Sequence, residues 1–178
     1  MRLHSLLTLV VAALPLPAAA QSAAWAQDRR EPLCIYDGLL ASADGAAPEA
    51  SRMETVRAEC RQRFGWTTDQ TNRGTMVAMV MAEMLQSQHE AREAGADQAT
   101  IDAISRSFPR EDAESLGQPG QPVTEAGNAT MRRIAARVIA RGFTGDAGLK
   151  VTRAIVYQLV AVNIVARFAQ EVMAPPAQ

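Results

Sequence analysis

DAGLKVTRAIVYQLVAVNIVARFAQEVM, residues 146–173, decides the fold. Placed on a helix at about 100° per residue, its apolar arc comprises Ile155, Tyr157, Leu159, Ala161, Val162, Ile164, Val165 and Phe168 and covers well over half of the circumference. Thr152, Arg153, Asn163, Arg167, Gln170 and Glu171 fall in one narrower polar stripe. A surface helix buries a stripe of roughly 100°, so a wider arc calls for neighbours on several sides. It reads as the central helix of a bundle, a dimer interface, or a wall of an apolar ligand cavity. A membrane span fits less well. The charge-free stretch between Arg153 and Arg167 is shorter than the ~20 residues a span needs, and it holds Gln158 and Asn163. Gln158 lies inside the apolar arc and, if buried, requires a hydrogen-bond partner. Tyr157 and Gln158 are therefore the candidate ligand-pocket residues. Pro175 and Pro176 forbid continuation and leave 175–178 as a tail.

Upstream, the helical period and helix caps recur, and strand-like alternation is absent. A first helix is expected from Pro32 to Ala43, with Leu33, Tyr36, Leu40 and Ala43 on one face. A second begins at Pro48 or at the Ser51/Glu54 capping box and buries Met53, Val56, Cys60 and Phe64. Gly65 is a left-handed C-cap, and Trp66 is placed to fold back onto the last turn. The third and longest helix opens at the Thr67/Gln70 box and stops at Gly95, a rod of roughly 40 Å. Asp97 or Thr100 caps a short fourth helix carrying Ile101, Ile104 and Phe108, which Pro109 ends. Residues 110–122 read as an exposed connection with at most a turn of helix. The fifth helix runs from Thr124 or Asn128 to Arg141 and packs Met131, Ile134, Ala135 and Val138 inward. The expectation is an all-α, single-domain bundle of five to six helices, with one long central helix and a largely buried C-terminal one. The helical domain spans 32–174.

The N-terminus reads as a secretory signal over 1–20. Arg2 and His4 precede an apolar run from Leu6 to Leu16, and Ala18, Ala19 and Ala20 supply a small-residue cleavage site before Gln21. Ala24-Trp25-Ala26 offers a second site, so cleavage after 26 is the alternative, and 21–31 is a flexible mature N-terminus. Export to a periplasm or the exterior makes the two cysteines legible. Cys34 and Cys60 lie too far apart for a C-x-x-C redox pair, and a structural disulfide closing that loop is worth about 3.5 kcal/mol in the chain-entropy model.

Chemistry is sparse. With two cysteines and one histidine after processing, neither a Cys₄ nor a His-rich metal centre can be built. Met76, Met79, Met81 and Met84 near His89 would suit copper(I). However, Met79 falls on the polar face and the set points around the helix. His89 and Glu93 lack the second histidine of a zinc-protease helix. No serine sits in a nucleophile elbow, and Lys150 is the single lysine. The expectation is no catalytic residue, no metal, no cofactor and no enzyme.

A net charge of −1 argues against nucleic acid as partner. That near-neutrality hides segregation. Glu83–Glu125 carries nine acidic and three basic residues, whereas Ala126–Gln178 carries two acidic and seven basic. Arg133, Arg137 and Arg141, with Arg132 adjacent, line one edge of the fifth helix. Either these charges pair internally, or the arginines form a surface for an anionic partner. The functional expectation is an exported, non-enzymatic helical protein that binds an unknown protein partner, as a monomer or homodimer, with no transmembrane span in the mature chain. The alternative is a carrier for an apolar small molecule or lipid held between the third and last helices.

Overall fold

The C-terminal helix forms the centre of the molecule, and the computed structural model describes residues 31–42, 49–117 and 121–172 around it. Among the described residues seven helices follow in order: α1 (Cys34–Ala41), α2 (Glu49–Phe64), α3 (Thr68–Glu93), α4 (Gln98–Ser105), α5 (Arg110–Ser115), α6 (Glu125–Ala140) and α7 (Gly145–Val172). The described residues contain no strand. The signal segment, both of its cleavage sites and the tail lie outside the described residues.

The wide apolar arc of α7 is met by four helices. Its most extensive contact is with α3, and α4, α5 and α6 cover further sides. Val151, Ala154, Ile155 and Phe168 are buried by this packing. By length and composition alone α7 could cross a membrane; the helices packed around it account for its apolar arc.

Local signals place the partners. Thr67 Oγ1 accepts from the Gln70 N–H at 3.2 Å, and Gln70 Oε1 accepts from the Thr67 N–H at 2.8 Å, closing the capping box of α3. Just before it, Gly65 takes a φ of 66° and ends α2. The Trp66 N–H then donates to the Arg61 carbonyl at 3.1 Å. The Trp66 ring stacks on Phe64 and meets Phe168 of α7 edge-on, with centroids 5.2 Å apart in the second pair. Its Nε1–H donates to Glu31 Oε1 at 3.3 Å. Cys34 and Cys60 are bridged with Cα atoms 6.0 Å apart, joining α1 to α2. Asp97 rather than Thr100 caps α4, its Oδ1 accepting from the Thr100 N–H at 2.7 Å. Thr124 caps α6 by accepting from the Gly127 N–H at 3.0 Å.

Three details depart from the sequence pattern. On α1 it is Ile35 that is buried, while Leu40 is 55% exposed; the disulfide and the α3 contact set the helix rotation, not the widest apolar face. Residues 110–115 form a true helix with Asp112 and Ala113 buried. Helix α4 stops at Ser105 with Arg106 as C-cap, short of the expected Phe108, and Pro109 instead caps the start of α5, as suits a residue that lacks an N–H. On α7, Asn163 is buried and Val162 is exposed, which reverses their expected positions.

Gly74, in the interior of α3, shows how tightly this end is packed. A Cβ there would stand 2.9 Å from Trp66 Cζ3 and 3.2 Å from Ile35 Cδ1. Glycine to alanine inside a helix ordinarily gains about 0.5–1 kcal/mol. Gly74→Ala should instead lose about 1–3 kcal/mol through overpacking, read as a lower urea midpoint at unchanged m-value.

Candidate functional site

Because Pro109 turns the chain between α4 and α5, these two short helices lie across α7 and leave a groove along it. Its volume is about 380 Å³. Phe108, Pro109 and Ala113 form one wall, and Leu159, Val162 and Ala166 of α7 form the other. Arg106 and Arg110 are the only charged residues that line it. Arg110 Nε donates to Glu114 Oε1 at 2.9 Å, and the Arg167 guanidinium lies 3.9 Å from the same oxygen. Two arginines thus share one carboxylate at the rim.

Two α7 amides face this region with opposite outcomes. Gln158 is engaged at both ends: its Oε1 accepts from Gln88 Nε2 of α3 at 3.1 Å, and its Nε2 donates to Asp102 Oδ1 of α4 at 3.0 Å. Gln98 Nε2 donates to the same Asp102 oxygen at 2.9 Å. The hydrogen bond from Gln158, then that from Gln98, hold the Asp102 carboxyl below its usual range, with Arg106 adding a smaller effect in the same direction against some desolvation. The expected partner for Gln158 is therefore present, and it ties α3, α7 and α4 together. Asn163 is only 8% exposed, lines the groove, and its carboxamide has no hydrogen-bond partner among the described residues.

The sequence candidates are distributed as follows. Gln158 borders the groove; Tyr157 does not line it, and Arg153 lies over its ring at 5.6 Å. Between α3 and α7, where an apolar carrier site was expected, the space is about 240 Å³. It is lined by Met76, Val77, Ile164 and Phe168, with Arg167 and the Arg73–Glu171 ion pair at 3.0 Å as its polar members. On α6, Arg133 Nη2 donates to Asp112 and to Thr130 Oγ1, and Arg137 lies 4.7 Å over the Phe108 ring. Arg132 and Arg141 are exposed and unpaired among the described residues. Arg153 of α7 reaches Glu83 at 3.1 Å and Glu90 at 3.4 Å on α3. Part of the charge segregation is thus resolved by pairing between helices.

The remaining chemistry is thin. His89 and Glu93 form an exposed pair at 3.3 Å. Among the described residues, no cluster of three or more His, Cys, Asp or Glu could hold a metal ion. Met79 is exposed, as its position on the polar face required. A larger recess of about 620 Å³ beside the disulfide mixes Asp37, Glu59 and Arg63 with Val56 and Phe64. Comparison with protein-family models, with curated proteins and with solved structures gives no match.

Sequence reasoning missed the groove. In sequence its α5 wall has the charged, Gly/Pro-rich look of an exposed connection, and Asn163 falls beside Arg167 and Gln170 on the helical wheel. The usable signal was that Asn163 stacks one turn beyond Leu159 and Val160, on their face of α7.

Gln158→Leu strips partners from the buried Gln88 amide and from Asp102 and should cost about 1–3 kcal/mol. Because the folded pKa of Asp102 is lowered, its contribution is complete above the ordinary carboxylate range and is lost as pH falls through the lowered value. Acid denaturation of Gln158→Leu should accordingly begin at higher pH than that of the parent. Arg133→Glu, which faces the buried Asp112, should lower stability by at least about 1–3 kcal/mol. Arg132→Glu and Arg141→Glu should stay within about 0.5 kcal/mol, all compared by urea midpoints.

Proposed function

We propose that this chain is an exported, non-enzymatic helical protein that works by holding a partner protein against the α4–α5–α7 face of its bundle. One observation carries the reading: Val162, beside the buried floor of an apolar groove, is 64% exposed on a helix whose other apolar side chains are largely covered by four neighbouring helices. Single exposed apolar side chains are ordinary, and Val162 differs from the others in being continuous with the apolar groove wall of Phe108, Pro109, Ala113 and Leu159. The disulfide agrees with an oxidising, exported compartment. The arginine edge of α6 adjoins this face, since Arg137 rests on Phe108, which forms part of the groove wall.

The second reading is the carrier, moved from the α3–α7 contact to the same groove. Its support is the volume, about 380 Å³, within the ~300–1,000 Å³ of small-molecule sites.

A photo-crosslinking residue placed at Val162, in the chain expressed in its source cell, tests the proposal. A discrete higher-mass adduct containing a second protein is expected, whereas the same probe at Leu149, exposed near the start of α7, should give none. Equal labelling at both positions, or no protein adduct at Val162, overturns the proposal. Native mass spectrometry of the exported chain separates the alternatives: a small molecule lost on denaturation supports the carrier, and a clean dimer makes a second copy the partner. The denatured mass also reports whether cleavage falls after Ala20 or Ala26.

A further inference from the structure

We propose that the recess between α1 and α2 is a thiol–disulfide exchange site, where an incoming thiolate attacks Cys34 Sγ and opening of the bridge releases α1. The proposal is independent of what occupies the α4–α5–α7 groove.

Access decides which sulfur reacts. Both half-cystines line the recess of about 620 Å³, together with Asp37, Glu59, Gln62 and Arg63, all exposed. Cys60 is 2% exposed, whereas Cys34 is only partly buried. A nucleophile in the recess therefore meets Cys34 first. Disulfides open to the surface are the labile and regulatory ones.

The chemistry selects the reductant. The incoming sulfur bonds to Cys34 Sγ, the S–S bond breaks, and its electron pair leaves on Cys60 Sγ, which takes a proton from solvent. A monothiol is expelled again by the freed Cys60, so lasting opening calls for a dithiol. Its second thiolate attacks the mixed disulfide and frees Cys34. The dithiol ends as a disulfide, and Cys34 and Cys60 end as thiols. Asp37 and Glu59 outweigh Arg63, whose guanidinium carbon lies 5.1 Å over the Phe64 ring, so the recess is negative overall. It favours a dithiol carried on a neutral or basic surface over an acidic one.

The bridge also clasps the least secure helix. Helix α1 has eight residues and no side-chain cap, too short to persist without packing. Besides the bridge, it is held by the burial of Ile35 and by two flanking hydrogen bonds. Trp66 Nε1 donates to Glu31 at 3.3 Å, and Arg52 Nη1 donates to the Ser42 carbonyl at 3.0 Å. Leu40 of α1 is 55% exposed and adds little. Release of α1 uncovers the space beside Gly74 and Trp66 that Ile35 now fills.

Exchange of the purified, disulfide-bonded chain with cysteamine, a cationic thiol, and 3-mercaptopropionate, an anionic one, tests the site. Each rate is divided by its rate on the urea-unfolded chain, which cancels intrinsic nucleophilicity. Peptide mapping after alkylation should place the mixed disulfide on Cys34. The normalised rates should favour cysteamine about threefold or more at low salt, falling toward equality in Asp37→Asn/Glu59→Gln. After dithiothreitol, the amides of α1 should lose hydrogen-exchange protection while those of α3 and α7 keep theirs. No exchange without urea, an adduct on Cys60, or equal normalised rates in the parent each overturns the exchange site. Protection retained in α1, or lost from α3 and α7 together with it, overturns the release.

Discussion

A helix that is apolar over more than half its circumference has to be covered from several directions at once, and the rest of this fold is arranged to cover α7. Helix α3, the other long element, lies against it along its length, and three short or medium helices close the remaining sides. Helical propensity alone does not fix how such neighbours sit, since apolar surfaces slide past one another at little cost. Directional contacts supply the register. Trp66 meets Phe168 at one end of the α3–α7 pair, Gln88 meets Gln158 toward the middle, and Arg153 spans Glu83 and Glu90 on the outer side. These contacts differ in chemistry, so they cannot be exchanged by sliding α3 along α7.

The same logic holds α4 and α5 in place. Helices of eight and six residues are too short to persist in water without tertiary packing. Each is pinned by polar contacts as well as apolar ones. Asp102 gathers two glutamine amides, while Asp112, Thr130 and Ser115 form a small network that Arg133 of α6 joins, with Asp112 Oδ2 left buried and unpartnered. The arginine edge of α6 is therefore not one uniform surface. Arg133 positions α5, Arg137 covers Phe108, and only Arg132 and Arg141 face solvent unpaired among the described residues. Reversing the whole edge at once would disturb the wall of the groove as well as any surface it presents.

The overall architecture was legible because its signals are local and periodic. Capping boxes, left-handed glycines and the two prolines after α7 mark helix ends through backbone sterics that need no tertiary context. The cysteine pairing followed from there being only two of them. The demand that Gln158 find a partner was also readable, but the partner was not: Gln88 and Asp102 lie 70 and 56 residues away in sequence. Helix α5 was missed because RED opens it, a charged run that reads as solvated connection until Arg133 is seen to pair with the buried Asp112. The rotation of α1 was missed because a covalent bridge overrides the choice a free amphipathic helix would make. Asn163 was misplaced because a residue at the border of an arc belongs to whichever side its neighbours cover, and the neighbour here is α5.

Gln158 and Asn163 give the comparison on which a functional reading turns. They stand five residues apart on one helix, carry the same functional group, and adjoin the same groove. One makes hydrogen bonds to two other helices; the other makes none. Asn163 is largely buried as a residue, but its carboxamide is not among the buried side-chain atoms left without a partner, so it opens into the groove. The bundle has nearby donors and acceptors in Ser105 and Gln158, yet Ser105 bonds back to the Ile101 carbonyl and Gln158 is spent on α3 and α4. The difference is one of exposure: Gln158 ties three helices together, whereas Asn163 presents a donor and an acceptor to an open groove with apolar walls, where a polar group fixes the orientation of whatever is bound.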